Sequence, residues 1–339
     1  MKIYEVGGAV RDALLEKEAK DKDWVVVGSS PEEMASKGFK PIGKDFPVFL
    51  HPETKEEYAL ARTERKTGQG YHGFNFYFGK EVTLEEDLSR RDFTINAIAK
   101  DASGNLIDPF NGVDDIKNKI FRHVSDAFSE DPLRAIRLAR FRTYEHLQDF
   151  TITDETKELL RQIVDSGEIG KLSENRIWTE TERALGSNNP NIYFETLVEF
   201  KIHKFHFKEL VKTNCDSSND IYVRWAELQI NNDFLLGGNL PISNTFIKAS
   251  QTLRTLSLIT NDSDKDVLIK VLQEVRFERS EDLIKRLVSL PQLKDTKKMI
   301  LKLLSGMKKT DFSVLANISK EQIEEEKIKL LKQVIKESR

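Results

Sequence analysis

Residues 3–12 read Ile-Tyr-Glu-Val-Gly-Gly-Ala-Val-Arg-Asp, and residues 21–27 read Asp-Lys-Asp-Trp-Val-Val-Val. The first stretch has the pattern of a short strand, Ile3 to Val6, broken by Gly7-Gly8 and followed by a helix over Ala9 to Leu15. The second has an apolar run introduced by two carboxylates. If Asp21 and Asp23 both belong to a strand, they stand on one face about 7 Å apart at Cα. Such a pair suits Mg²⁺, a hard cation held by one or two carboxylates together with substrate phosphates, and the chemistry expected of it is phosphoryl or nucleotidyl transfer. Gly7 and Gly8 let the backbone approach an anion, the helix start presents free N–H groups, and Arg11 is placed to clamp a phosphate there. Taken singly, a Gly-Gly turn or an acidic pair at a strand end is an ordinary surface feature. Their conjunction puts a triphosphate cradle beside a metal seat.

Working outward, residues 1–140 alternate strands and helices, as expected of a small mixed sheet backed by helices. From Asp154 onward helical periodicity takes over. Thr156 to Val164 is one helix, and Ser173 is placed as the cap of another that carries Arg176, Ile177, Trp178 and Leu185. The class is α+β, with an all-α continuation. A chain of 339 residues with 39% hydrophobic content accommodates two or three domains. No run of about 18 apolar residues is present and strand-forming sequence starts at Ile3, so neither a membrane span nor a leader is expected. The single Cys215 excludes an internal disulfide and fits a cytoplasmic location. A net charge of −3 argues against general basic binding of nucleic acid, so an RNA partner has to be met by local patches.

Further motifs follow in order: Glu57 to Arg62 (Glu-Tyr-Ala-Leu-Ala-Arg), Arg90-Arg91-Asp92 with Asn96, Asp108-Pro109 with Asn111-Gly112, and Glu130-Asp131-Pro132-Leu133-Arg134 followed by Arg137 and Arg140. Arg134, Arg137 and Arg140 lie within roughly a 120° arc of one helix, with Ile136 and Phe141 toward a core. Three guanidiniums on one face can pair with phosphate or base edges, and Asp131 supplies an acceptor one turn upstream. An N-cap role for Asp131 and a solvated arginine stripe are the plainer readings of the same residues.

Together with the Gly-Gly turn and the Asp21-Lys22-Asp23 pair, this series resembles the class II tRNA nucleotidyltransferases, the CCA-adding enzymes, over roughly residues 1 to 200. The resemblance implies a palm-like nucleotidyltransferase head over 1–140, a helical neck over 141–205 and a helical body over 206–339. It implies Asp21 and Asp23 as catalytic Mg²⁺ ligands. ATP and CTP would be held by Gly8, Arg11, Arg91, Asp92, Asp131, Arg134, Arg137 and Arg140. Asp131 and Arg134 would act together as the template that accepts C or A, and Arg91-Asp92 would select ribonucleotides. A flexible loop after Arg62, rich in charge and glycine, would switch the site from C to A. The strand after it would bury Phe74, Phe76 and Phe78, and Glu57 is a candidate third carboxylate.

The implied reaction is template-independent addition of CCA to the 3′ end of tRNA, and repair of truncated ends, with release of pyrophosphate. A poly(A) polymerase and a partial CC- or A-adding enzyme are the alternatives within the class. An inactive RNA-binding protein is the alternative outside it. The expected partners are the acceptor and T arms of tRNA, with no membrane or protein partner implied. In long bacterial relatives the C-terminal region is a metal-dependent phosphohydrolase of the HD type. Here no histidine follows His206, and Gln229-Ile230 stands where a His-Asp pair is expected, so a helical remnant without that activity is expected. Between Leu283 and Thr310, eight lysines and arginines face one acid, Asp295, a surface suited to RNA phosphates or simply a solvated one.

Overall fold

A computed structural model describes residues 1–19, 21–42, 48–66 and 74–338. The chain forms two compact units, Met1–Glu180 with Thr196–Phe205, and Thr181–Glu195 with His206–Arg339. The first is built on a seven-stranded mixed sheet. In chain order its strands are β1 (Lys2–Val6), β2 (Asp23–Val27), β3 (Lys40–Pro41), β4 (Val48–Leu50), β5 (Glu57–Leu60), then β8 (Ala99–Lys100) and β9 (Leu106–Ile107), with two small pairs apart from it: β6 (Thr63–Lys66) with β7 (Phe74–Tyr77), and β10 (Ile120–Phe121) with β11 (Thr151–Ile152). The spatial order is β3-β4-β5-β2-β1-β8-β9. At its centre β2 runs antiparallel to β1 and parallel to β5, which sets Asp23 opposite Val6 on one side and opposite Glu57 on the other.

Strand alternation in the run Val25-Val26 covers both faces of this sheet. Val25 packs with Val6, Leu88, Ala97 and Ala99, whereas Val26 packs with Met34, Phe39, Phe49 and Leu60. Asp23 shares its parity with Val25 and so belongs to the face that carries Leu88 and Ala97. The helices of this unit include α1 (Gly8–Leu14), α2 (Pro31–Ser36), α3 (Leu84–Ser89), α4 (Gly112–Lys117), α5 (Leu133–Phe141) and α6 (Asp154–Asp165). Helix α3 opens with a capping box in which Thr83 and Glu86 satisfy each other's backbone N–H groups. The Asp108-Pro109 and Asn111-Gly112 motif proves to be architecture: the Asp108 carboxylate accepts from Gly112 N at 2.7 Å and Val113 N at 2.9 Å, at the start of α4.

Helices α7 (Glu174–Leu185) and α8 (Pro190–Glu199) each contribute residues to both units, and the short α9 (His203–His206) follows. The second unit is helical among the described residues: α10 (Ile221–Asn231), α11 (Asn244–Leu256), α12 (Lys265–Val275), α13 (Glu281–Leu287), α14 (Lys297–Lys309) and α15 (Lys320–Ser338). They enclose a core of Val223, Leu253, Leu272, Phe277, Leu303 and Val334, among others. Gln229, expected to mark a lost metal site, is a buried clamp: its amide donates to Leu236 O at 2.9 Å and accepts from Leu236 N at 3.2 Å. Among the described residues no helix is long and apolar enough to cross a membrane.

Several expectations are corrected. Asn96, named with the Arg90-Arg91-Asp92 motif, stands on a short 3₁₀ turn, Thr94–Asn96. Phe78 lies beyond β7 and is 38% exposed, not buried. The loop expected to switch the site falls partly on residues 67–73, outside the described residues, as do the side chains of Phe74 and Phe76.

Candidate active site

The chain passes from β1 into α1 through Gly7, whose φ of +72° falls in the left-handed region. A Cβ at this position would lie 2.8 Å from the Arg91 guanidinium, so glycine is required here on two counts. Gly8, singled out in the sequence, opens α1 and has ordinary room for a side chain. The constraint that shapes the turn therefore sits at Gly7, with Arg91 laid against it.

Asp23 is the first residue of β2, and Asp21 lies in the bend before it, so the two are not strand neighbours as the alternation argument supposed. Both are exposed. They nevertheless sense each other. Partial withdrawal from water pushes the Asp23 carboxyl above its ordinary range against the pull of Arg91, and the Asp21 charge pushes the same way, with Arg137 opposing. A carboxylate in that condition has negative charge still to be compensated, and a hard divalent cation compensates it. The donor set fits Mg²⁺: two accessible carboxylates, with water and a triphosphate to complete the shell. Glu57 is level with Asp23 on the adjacent strand and exposed. Among the described residues, however, no three acidic or imidazole side chains cluster as a ready-made metal cage.

Of the arginines expected to hold the nucleotide, Arg91 is loosely held and Arg11 is locked. Arg91 reaches Asn96 O at 3.4 Å and Asp87 Oδ2 at 3.3 Å, both long, and its Nε–H is buried without a hydrogen-bond partner among the described residues. The Nη1 that lies against Gly7 is the atom on that 3.4 Å bond, so this end of the guanidinium is weakly engaged. Arg11 is 3% exposed and fully engaged, with Nε and Nη2 on Asp12 Oδ1 at 2.8 and 2.7 Å, Nη1 on Asn96 Oδ1 at 2.6 Å, and the Phe141 ring 5.5 Å away. Its place is to fix α1 to the neighbouring turn. Asp12 accepts in addition from the His146 ring at 3.1 Å, and that bond with the Arg11 charge outweighs burial and lowers its pKa.

From Arg11 a chain of polar contacts runs inward. Asn96 donates through Nδ2 to Asp92 Oδ1 at 2.9 Å, and Asp92 Oδ2 accepts from Arg137 Nε at 2.8 Å and Nη2 at 2.7 Å. Burial alone would raise the Asp92 pKa; Arg137 and Asn96 hold it far below the ordinary carboxylate range. Arg137 in turn stays charged despite its own burial because Asp92 and Glu180 face it. Glu180, buried on α7, pairs with Arg140, which also donates to the Tyr144 hydroxyl. The expected open stripe of three arginines is thus corrected: Arg134 and Arg140 are 7% and 4% exposed, and only Arg137 keeps an open edge. Each is paired inside the protein, because α5 lies under α7 and the turns around Asp92.

Asp131 and Arg134 do not pair through their side chains. Arg134 donates to the carbonyls of Ala127, at 2.8 Å, and Arg90. The Asp131 carboxylate accepts from Leu133 N at 3.2 Å, as a cap does, and from Arg176 Nη2 at 2.8 Å. Sequence reasoning noticed Asn96 but gave no role to Asp87, His146, Arg176 or Glu180. Glu180 left a trace: it is a charge one turn from Ile177, on the buried face of α7, where an apolar residue is expected.

Comparison with known proteins agrees with this geometry. Residues 3–122 match the family described as the poly A polymerase head domain, and residues 149–213 match one described as a probable RNA and SrmB-binding site of polymerase A. A protein of Pseudoalteromonas atlantica named multifunctional CCA protein is 59% identical over 210 residues, which is 62% of this chain and 52% of that protein. One of the same name from Aliivibrio salmonicida is 59% identical over 199 residues, 59% of this chain and 49% of its own. The chain therefore spans about half the length of the curated relatives it matches.

Among solved structures, the Bacillus stearothermophilus CCA-adding enzyme in complex with CTP superposes with a TM-score of 0.72 at 22% identity, covering 98% of this chain and 88% of that one. The Thermotoga maritima CCA-adding enzyme complexed with tRNA gives 0.63 at 23% identity, covering 100% and 88%. Residues 3–122, which carry the sheet, the Gly7 turn and the acidic pair, are similar to the poly A polymerase head domain. Within that type, 210 residues of this chain are similar to proteins named multifunctional CCA protein.

Proposed function

We propose that this protein adds CMP, CMP and AMP to the 3′ end of tRNA, and repairs truncated CCA ends, drawing on CTP and ATP and releasing pyrophosphate. The observation that carries the reading is Asp23, electrostatically uncompensated at the head of β2, with Asp21 beside it and the weakly engaged guanidinium of Arg91 at the Gly7 turn. Mg²⁺ held by Asp21 and Asp23 would supply Lewis-acid stabilisation of the triphosphate and ease deprotonation of the RNA 3′ hydroxyl. The hydroxyl oxygen then bonds to the α-phosphorus as the bond to the β-phosphate bridge breaks. Arg91 orients the phosphates. Asp92, held ionised, fixes Arg137 and Asn96 around the ribose and phosphate. Asp131 offers an acceptor to the incoming base, with Arg134 anchoring the turns on either side of it. Residues 1–140 act as the head, 141–205 as the neck and 206–339 as an RNA-holding body, without phosphohydrolase activity. A tRNA substrate and the single Cys215 support a cytoplasmic location.

The test is incubation with tRNA lacking its 3′ CCA, Mg²⁺ and CTP, ATP or both, with the products sequenced. Growth by three residues ending in A is expected. Long A tails would select a poly(A) polymerase, arrest after CC a partial enzyme, and binding without extension an inactive RNA-binding protein.

A further inference from the structure

A circuit of polar side chains in the first unit begins and ends at α5. His146 sits on a short 3₁₀ turn, Glu145–Leu147, that follows this helix, and Leu147 beside it is fully buried. The imidazole is stacked on the Tyr144 ring, with centroids 5.8 Å apart and planes 26° from parallel, and its Nε2 lies 3.1 Å from Asp12 Oδ1. That same oxygen accepts from Nε and Nη2 of Arg11. Arg11 Nη1 donates to Asn96 Oδ1, and Asn96 leads through Asp92 back to Arg137 on α5. Phe141 of the same helix touches both arginines, with its ring 5.5 Å from the Arg11 guanidinium and 5.2 Å from that of Arg137.

Two links of the circuit are not made by local structure. Arg11 and Asp12 are neighbours on α1, and adjacent residues of a helix point about 100° apart rather than at each other. Their pairing needs Asp12 to be drawn round from outside the helix, and His146 reaches it from another element. Burial would raise the Asp12 pKa, but the His146 bond and the Arg11 charge lower it, so the imidazole faces a carboxylate and Nε2 is the nitrogen that carries the proton. The second link is the Asn96 amide. Its oxygen accepts from Arg11 while its nitrogen donates to Asp92, so one orientation of the amide satisfies both and the flipped one satisfies neither. With Arg11 displaced, that orientation is held from one end only.

We infer that His146 is a positioning residue for sugar choice: by holding Asp12 it keeps Arg11, and through Arg11 the Asn96 and Asp92 side chains, in the arrangement that tells a ribose from a deoxyribose. A site that recognises a hydroxyl by hydrogen bonding rejects the analogue lacking it only as well as its own donors and acceptors are held in place. Asp21, Asp23 and the Arg91 guanidinium are not members of the circuit. Loss of the imidazole therefore falls on sugar discrimination more than on turnover. The inference rests on the reading that this head transfers ribonucleotides, and deepens it by naming what holds the ribose-facing side chains.

The test is single addition to tRNA ending in CC by the full-length protein, with Mg²⁺ and either ATP or 2′-deoxy-ATP, comparing kcat/KM for the two nucleotides. His146→Phe keeps a ring against Tyr144 and removes the donor, whereas His146→Gln gives up the ring and keeps an N–H for Asp12. The preference for ATP is expected to fall about tenfold in His146→Phe, as for one weakened hydrogen bond, with kcat for ATP within about threefold of the wild type. His146→Gln should keep the preference within about twofold. Should His146→Phe melt below the assay temperature, Asp12→Asn takes its place, with the same fall expected. A wild-type preference in the folded variant overturns the inference. So does an equal loss with both nucleotides, or an equal fall of preference in His146→Phe and His146→Gln, since His146 would then act through its packing and not through Asp12. Failure of the catalytic reading looks different: the wild type extends the RNA with neither nucleotide, and both readings fall together.

Discussion

Asp23 carries opposed demands at the residue scale. Its raised pKa means that the folded protein without metal holds the carboxylate at a cost, since a group pushed up in the folded state stabilises only where it is protonated. Asp23→Asn is therefore expected to abolish extension while leaving the Tm unchanged or raised in metal-free buffer. Mg²⁺ should raise the Tm of the wild type more than that of the variant. A lowered Tm in metal-free buffer would mark Asp23 as structural instead. Asp92 has the opposite sign. Its folded pKa is depressed, so its contribution is present above the ordinary carboxyl pKa near 4 and is lost as the pH falls further. Asp92→Asn leaves Arg137 with Glu180, at 3.8 Å, as its ion-pair partner among the described residues, and should cost about 2–3 kcal/mol at neutral pH, less than a fully buried pair because Arg137 keeps an open edge. Urea titration at pH 7 and at pH 3 checks both parts: the gap between wild type and variant should close at low pH.

At the scale of elements, α5 separates what a pattern can say from what packing decides. Arginines three apart were legible as a helical stripe, and Ile136 and Phe141 do face the core, at 1% and 5% exposure. The stripe is buried as well, since α7 supplies Glu180 and the chain turns supply carbonyls for Arg134. Arg134→Ala is accordingly expected to leave the Ala127 and Arg90 carbonyls short of a donor and to cost about 1–3 kcal/mol, seen as a lower urea midpoint, in addition to any loss of base choice. A normal midpoint with blurred choice would show that the anchoring contacts are dispensable. Helix α4 makes the same point through Gly112, where an added Cβ would lie 2.2 Å from Thr94 O. Gly112→Ala should shift the turn that carries Asn96. The expected result is about 1–3 kcal/mol of destabilisation by denaturant melt, together with weaker nucleotide binding.

At the scale of the whole molecule, the polar side chains buried in the second unit serve its packing. Gln229 spends its amide on Leu236, and Arg224 spends its guanidinium on the carbonyls of Leu185 and Ser187, both at 2.6 Å. Purified protein is expected to release no phosphate from phosphomonoesters above blank with Mg²⁺, Mn²⁺ or Ni²⁺. Measurable release that survives Asp23→Asn would place a second activity in this unit. The sequence by itself determined the head. Its strand, glycine break, helix and acidic pair are local patterns, and local sterics together with period-2 alternation suffice to read them. Tertiary structure alone decided which glycine is indispensable, which arginine is weakly engaged, and that Asp131 faces Arg176 rather than Arg134. Those outcomes depend on residues far apart in the chain competing for the same few hydrogen-bonding partners, and spacing along one segment carries no record of that competition.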